Sequence, residues 1–422
     1  MMTALDRVWR GEGAQLVATL ARRLGRLDIA EDAAQEAVSL ALVRWPRDGT
    51  PVNAGAWLMT TAWRRALDLL RREMRRRTVS IDEEAGNAAW GADTGSDGRN
   101  SEPAEAALQL ADLRRDDDLL TLLLACCHPA LTPDARIALT LRHVAGLTAR
   151  EIAAMFRVTE ATLEKRLVRA RRRIRDTGIR FAIPDSCTLE QRITDVRLVV
   201  YLIFTEGYLS SGAGESLRIA LCEEALWLAR QLHVQQPDSA ECRGLLALLL
   251  LQHSRVDARH DDVGDLLPFA AQDRAQWNSA AVDEARALLA CSTPDTLGPY
   301  QIEAAIALLH ATAASSELVP WARIAELYRI LLGMTGSVIV AMNGAYAEGR
   351  AGAAPAAIDR LDALASIGAL VGYAPLYAAL ADLLERIGER TRAHTNWIEA
   401  AKLTENSRRR DQLHQRAERM LE

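Results

Sequence analysis

The run from Leu131 to Ile179, LTPDARIALTLRHVAGLTAREIAAMFRVTEATLEKRLVRARRRIRDTGI, leaves the least freedom of any stretch in the chain. It predicts three helices, the last two forming a helix-turn-helix. Thr148 with Glu151 three residues on is a capping-box spacing, which satisfies two amide donors at a helix start. Ile152, Ala153 and Phe156 give that helix an apolar face, and the small Ala153–Ala154 pair lets a neighbouring helix approach closely. Val158 falls in the turn, and Thr159 stands where it can cap the next helix. In that helix Leu163, Leu167, Ala170 and Ile174 recur at three- and four-residue spacing and face inward. Between them stand Lys165, Arg166, Arg169, Arg171, Arg172, Arg173 and Arg175. An apolar seam backed by arginines suits a DNA major groove and its phosphates. A basic helix alone is usually no more than a solvated face. Here box, small pair, turn and basic helix share one register, and that combination points to DNA.

The rest of the chain is read as helical too. Ala and Leu are abundant and aromatic residues make up only 5%, which favours helices, and 422 residues exceed one ordinary core and predict two to four domains. The overall charge of −5 conceals an asymmetry: residues up to Arg180 carry 29 basic and 25 acidic side chains, net +4, leaving 22 and 31, net −9, for the remainder. The front is the half suited to a polyanion. No signal peptide or membrane span is apparent, and a reduced cytoplasm fits six cysteines without a CxxC pair. The Cys126-Cys127-His128 run has no second ligand pair after it, so buried packing is expected there, with no metal and no cofactor.

In chain order, a first helix is expected over residues 4–24 and a second over Ile29 to Trp45, its start lined by Asp28, Glu31, Asp32, Gln35 and Glu36. Acidic residues there compensate a helix dipole on the plainest reading. The loop RWPRDGTPVNAG breaks structure, and AWLMTTAWRRALDLLRREMRRR forms a third helix that interleaves Trp57 and Trp63 with arginines. Rings that stack on bases beside cations that hold phosphates suit single-stranded nucleic acid. Core packing is the competing role, evenly balanced for Trp57 and favoured for Trp63. Residues 80–107 are rich in Gly, Ser, Asp and Glu without an apolar period, and read as an acidic linker.

The blocks IAEDAAQEAVSLALVRW and AWLMTTAWRRALDLLRRE, followed by LTAREIAAMFRVTEATLEKRLVRARRRIR, resemble regions 2 and 4 of extracytoplasmic-function (ECF) sigma factors. The resemblance implies that Asp32, Gln35 and Glu36 dock on the β′ clamp helices of core RNA polymerase, with the β flap as a second contact. It implies that Asn53, Trp57, Arg64, Arg65, Asp68, Arg71 and Arg72 act at the −10 element of promoter DNA. Thr159, Glu160, Thr162, Lys165, Arg166, Arg169, Arg172 and Arg173 would read the −35 element through a helix-turn-helix without a wing. Trp63-Arg64, Glu164 and Arg157 depart from the family's usual residues, the last at a turn glycine. The implied linker threads the polymerase channel as an acidic mimic of RNA.

After Pro184 an Ala- and Leu-rich helical half begins. Tyr377, Ala381, Gly388, Ala393, Trp397 and Ala400 fall at tetratricopeptide (TPR) spacings, Ala341, Ala345, Gly352, Ala357, Leu361 and Leu364 repeat the offsets, and a third copy is expected from Glu215 to Pro237. TEGYLSSGAGE, QDRAQW and GPYQIEAAIALLHA resemble the tail of the sigma subgroup with a TPR-like extension. In QDRAQW a loop anchor at a helix start is preferred over an acid–base cluster. The expected architecture is all-α: sigma region 2 over 1–78, linker over 79–110, region 4 over 111–183 and a TPR-like solenoid over 189–422. The expected function is that of an alternative sigma factor rather than an enzyme, with a tail that modulates activity and is open to a protein partner. A helix-turn-helix regulator with a ligand- or protein-binding solenoid is the rival, and it leaves residues 28–77 unexplained.

Overall fold

The computed structural model describes residues 4–82, 115–156, 158–179, 181–184, 186–209, 215–259, 267, 269–291, 297–366, 370–404 and 407–421, and divides into two units, Met1–Glu206 and Gly207–Glu422. Every regular element among the described residues is helical. The first unit holds α1 (Ala4–Leu24), α2 (Leu27–Asp48), α3 (Ala54–Asp82), α4 (Arg115–Cys126), α5 (Pro133–His143), α6 (Ala149–Met155), α7 (Glu160–Asp176) and most of α8 (Ser186–Leu209). Helices α1 to α3 pack closely because small residues line the seam: Ala30, Ala33, Ala34, Ala37 and Ala41 of α2, and Ala62 and Ala66 of α3, are buried. Helix α2 runs three residues beyond the expected end at Trp45 and contains Pro46. Trp45 is buried and meets Trp57 edge-on at 5.7 Å, and Gly49, at φ 83°, closes the last turn onto the Trp45 carbonyl. Tertiary packing of that tryptophan outweighs the local cost of proline.

The expected third helix extends through residues 80–82, past the start expected for the linker; residues 83–110, like Arg157, lie outside the described residues. Helix α4 packs on α1, where the buried Asp118 accepts from Thr19 at 2.8 Å and pairs with Arg22 at 2.7 Å. Cys126 and Cys127 are buried, Cys127 beside the Thr140 hydroxyl at 3.5 Å, and burial pushes the Cys127 thiol up to about 12. Helix α8 is tied to the first unit by Arg136 to Asp195 at 3.0 Å and by Arg192 donating to the Leu124 carbonyl.

The second unit continues with α9 (Glu215–Gln235), α10 (Ala240–His253), α11 (Ser279–Ala290), α12 (Pro299–Thr312), α13 (Trp321–Thr335), α14 (Val338–Glu348), α15 (Ala354–Ala365), α16 (Ala374–Arg386), α17 (Arg390–Lys402) and α18 (Ser407–Glu418). Successive helices from α9 to α18 pack on their neighbours. Helix α10 is buried on all sides, and Gly244 lets it cross α12 closely: a Cβ there would lie 2.7 Å from the Gln301 amide nitrogen. The two repeat copies become the pairs α14–α15 and α16–α17, with Gly352 (φ 115°) and Gly388 (φ 82°) at the turns. Ala345, Ala357, Leu361, Ala381, Ala393, Trp397 and Ala400 are buried between the helices. The third copy is not a pair. Residues 215–235 form one unbroken helix, because ESLRIALCEEALWLARQLHVQ has no Gly or Pro to end it. In QDRAQW, Asp273 caps a short turn and Arg274 donates to the His310 and Ala313 carbonyls, each at 2.8 Å, ahead of the Asn278 cap of α11.

Candidate nucleic-acid interface

Helix α7 begins as its sequence dictates. The Thr159 hydroxyl accepts from the Thr162 amide at 3.2 Å and lies 2.8 Å from the Thr162 hydroxyl, while upstream Thr148 and Glu151 complete the capping box of α6. Leu163, Leu167, Ala170 and Ile174 are buried, so the helix is fixed in rotation. That leaves Thr159, Glu160, Thr162, Lys165, Arg169, Arg172 and Arg173 exposed. Arg169 bends back to the Lys165 carbonyl at 3.2 Å, and Arg172 faces Asp176 at 3.4 Å. Arg166 differs from this group: it is half-buried, 3.5 Å from Asp134 at the start of α5. Arg171 and Arg175 lie on another flank and grip α2 instead, Arg171 on Glu31 and Arg175 on Asp28 at 3.6 Å.

Helix α3 presents the second basic surface. Arg64, Arg71 and Arg72 are exposed, and Asp68 sits 3.7 Å from Arg71. Asn53 is exposed but already employed, its side chain accepting from the Ala56 amide at 3.0 Å to cap the helix. Trp57 and Trp63 are both half-buried. Arg65 and Glu36, assigned to different surfaces by the sequence, meet at 3.5 Å.

On α2 the acidic side chains divide. Asp32 and Gln35 are exposed and Glu36 is partly so, one helical turn apart on one face. Burial and the neighbouring Glu31 carboxylate push the Asp32 carboxyl above its ordinary value. Glu31 itself turns inward, 7% exposed. It accepts from Arg171 and from the Gln35 amide at 3.0 Å, with Arg142 at 3.7 Å and His143 at 3.8 Å. Burial holds the His143 imidazole down to about 4, so it faces Glu31 as a neutral ring. Burial alone would raise the Asp28 carboxyl, but the Arg26 guanidinium, with Arg175 beyond it, holds it below the usual carboxylate range. A cavity of about 270 Å³ lies beside this knot, lined by Trp9, Glu31, Gln35, Arg142 and His143 among others. Arg142, His143 and Asp118 were not marked out by sequence, and Glu31, read there only as compensating the helix dipole, differs from its acidic neighbours by nothing local.

The chain matches two families in the order of these surfaces: Sigma-70 region 2 over residues 9–76 and Sigma-70 region 4 over residues 121–174. The chain carries both modules of an ECF-type sigma factor. It is similar to the probable ECF RNA polymerase sigma factor SigI of Mycobacterium tuberculosis, at 29% identity over 171 residues, covering 40% of this chain and 54% of that protein. A relative along most of the length is the uncharacterized protein R00370 of Rhizobium meliloti, 36% identical over 394 residues, 93% of this sigma factor and 90% of the relative. Residues 192–293 match a family of unknown function, DUF6596. No solved structure matches. The sigma factor directs transcription initiation with core RNA polymerase on promoter DNA, and its family is not an enzyme family. Among the described residues, no helix is long and apolar enough to cross a membrane.

Proposed function

We propose that this sigma factor docks on the β′ clamp helices through Asp32, Gln35 and Glu36, opens the −10 element with the α3 surface, and reads the −35 element with α7 held near the β flap. The work is cytoplasmic, and the chain alone catalyses no reaction. The observation that carries this reading is the rotation of α7. Its buried seam turns Thr162, Lys165, Arg169 and Arg172 outward as one continuous strip, the arrangement a major groove accepts. On α3, Arg64, Arg71 and Arg72 are equally accessible, while Trp57 is shared with Trp45 and Asn53 with its helix cap. Those two residues therefore act by holding the loop before α3 as much as by touching a base.

The tail, residues 189–422 in the sequence division, acts on transcription in cis and is required for full activity. Its net negative charge beside a basic front supports an electrostatic contact, either with the sigma modules or with polymerase, that salt weakens. The deciding experiment is run-off transcription with core enzyme and genomic promoter fragments. The chain is compared with a truncation after Glu206, which keeps the Arg136–Asp195 tie of α8. Promoter-specific transcripts from the full chain and weaker ones from the truncation are expected. Absence of any promoter-specific transcript would remove the docking and reading assignments, and equal activity at every salt concentration would make the tail a passenger.

A further inference from the structure

The second unit contains a cavity of about 500 Å³, inside the size range of small-molecule sites. One wall is a series of rings in edge-to-face contact: Phe269 with Trp277 at 5.6 Å and with His310 at 5.3 Å, His310 with Trp321 at 5.2 Å, and Trp321 with Tyr346 at 5.7 Å. Within this wall three ring nitrogens have no hydrogen-bond partner. The ring nitrogens Nε1 of Trp277, Nε1 of Trp321 and Nδ1 of His310 are buried without a protein partner. Buried polar groups left in that state are uncommon, and they make this wall polar beneath its ring faces.

Arg350 supplies the anion-seeking group. Its guanidinium lies 4.4 Å from the centroid of the Trp321 ring, and its side chain is 13% exposed. Nη1 donates to the Tyr346 hydroxyl at 3.0 Å, which leaves the other edge of the fork uncommitted. Asp382, 3.9 Å away, does not neutralise it, because that carboxylate already accepts from Tyr346, Arg386 and Arg416. The local field agrees with this: burial, then Arg255, Arg274 and Arg350, hold the His310 imidazole down to about 4. A planar fork stacked on an indole with one edge free is well matched to a carboxylate or phosphate. We propose that this cavity binds a small organic anion, a carboxylate or phosphate carried on a flat ring, with the anionic group on Arg350 and the ring against Trp321 and His310. The proposal does not depend on how the tail acts on transcription. An extended acidic peptide fits less well, because a cavity of about 500 Å³ is too small to enclose one.

Isothermal titration of the full-length protein tests this with 2-naphthoate and 2-naphthyl phosphate, against 2-naphthol, acetate, inorganic phosphate and an oligo-glutamate peptide. At least one ring anion is expected to bind, with the neutral ring and the ringless anions weaker by about tenfold or more. Comparing the two ring anions tells carboxylate from phosphate. Arg350→Ala and Trp321→Leu should each weaken binding by about tenfold or more, and Arg350→Lys by less. Asn343→Leu, at a half-buried amide in the same lining, provides a variant with the ring wall and Arg350 intact and should also weaken binding. Failure of both ring anions to bind, binding indifferent to Arg350, Trp321 and Asn343, or binding of the peptide alone would each overturn the proposal.

Discussion

Replacing Glu31 with alanine should loosen the first unit more than any exposed acidic substitution on α2. The residue is 7% exposed, and its carboxylate serves Arg171 from α7, Arg142 from α5 and Gln35 from its own helix. Breaking a buried ion pair by removing one partner costs about 3–5 kcal/mol. The arginine side chains here retain 22% and 26% of their exposure, so water recovers part of that loss. We expect about 1.5–3 kcal/mol. For a unit of this size that corresponds to a fall in melting temperature of roughly 4–10 °C. Glu31→Gln keeps an acceptor oxygen and should lose about half as much. The assay is calorimetric unfolding of the full chain, followed by a double-mutant cycle with Arg171→Ala. A coupling energy of about 1–2 kcal/mol is expected for groups in direct contact. A cycle that closes at zero, or an alanine variant that melts with the wild type, would refute the idea that this carboxylate holds α7 to α2.

Reversing Asp32 and Glu36 together to lysine should abolish capture of core polymerase while leaving the circular dichroism spectrum intact; normal capture would clear that face of the docking role. Stability of the first unit should fall as pH drops from about 6.5 towards 4. His143 binds its proton less readily folded than unfolded, so its contribution is complete above its unfolded pKa and is lost towards its folded one. His143→Phe should flatten that slope in thermal melts, and an unchanged slope would exclude the residue. In salt titrations of promoter binding by the holoenzyme, Lys165→Gln and Arg169→Gln should each lower the logarithmic slope by up to about 0.9. Arg171→Gln should leave that slope unchanged, and an equal drop would mean that Arg171 leaves Glu31 to contact DNA.

Much of the front half was legible because its signals are local. A threonine with glutamate three residues later caps a helix wherever the chain goes, and Thr148 with Glu151 does so here. The seam of α7 was fixed by spacing alone, and all four of its predicted residues are buried. In the tail, two glycines at matching offsets, Gly352 and Gly388, both adopt positive φ at the turns of their helix pairs. The expected third pair failed for the converse reason: small and apolar residues recur through α9, but nothing in it breaks a helix. The end of α2 was misplaced because proline is a local signal and the burial of Trp45 beside Trp57 is a distant one.

The arginine run of α7 illustrates the remainder. In sequence its seven cations form one dense basic face, and nothing local ranks them. Helical geometry divides them into flanks, and partners far away in sequence decide what each flank does. Lys165, Arg169, Arg172 and Arg173 stay exposed, Arg166 is shared with Asp134, Arg171 is taken by Glu31, and Arg175, though exposed, reaches Asp28. The charge available to DNA is therefore smaller than the sequence count. What is withdrawn from DNA fixes the reading helix to Glu31 of α2, the neighbour of Asp32 and the acceptor of the Gln35 amide. The same helix thus carries the reading strip on one side and the support of the docking helix on another. Substitutions in the run should separate accordingly, into those that change promoter affinity and those that change the melting of the unit.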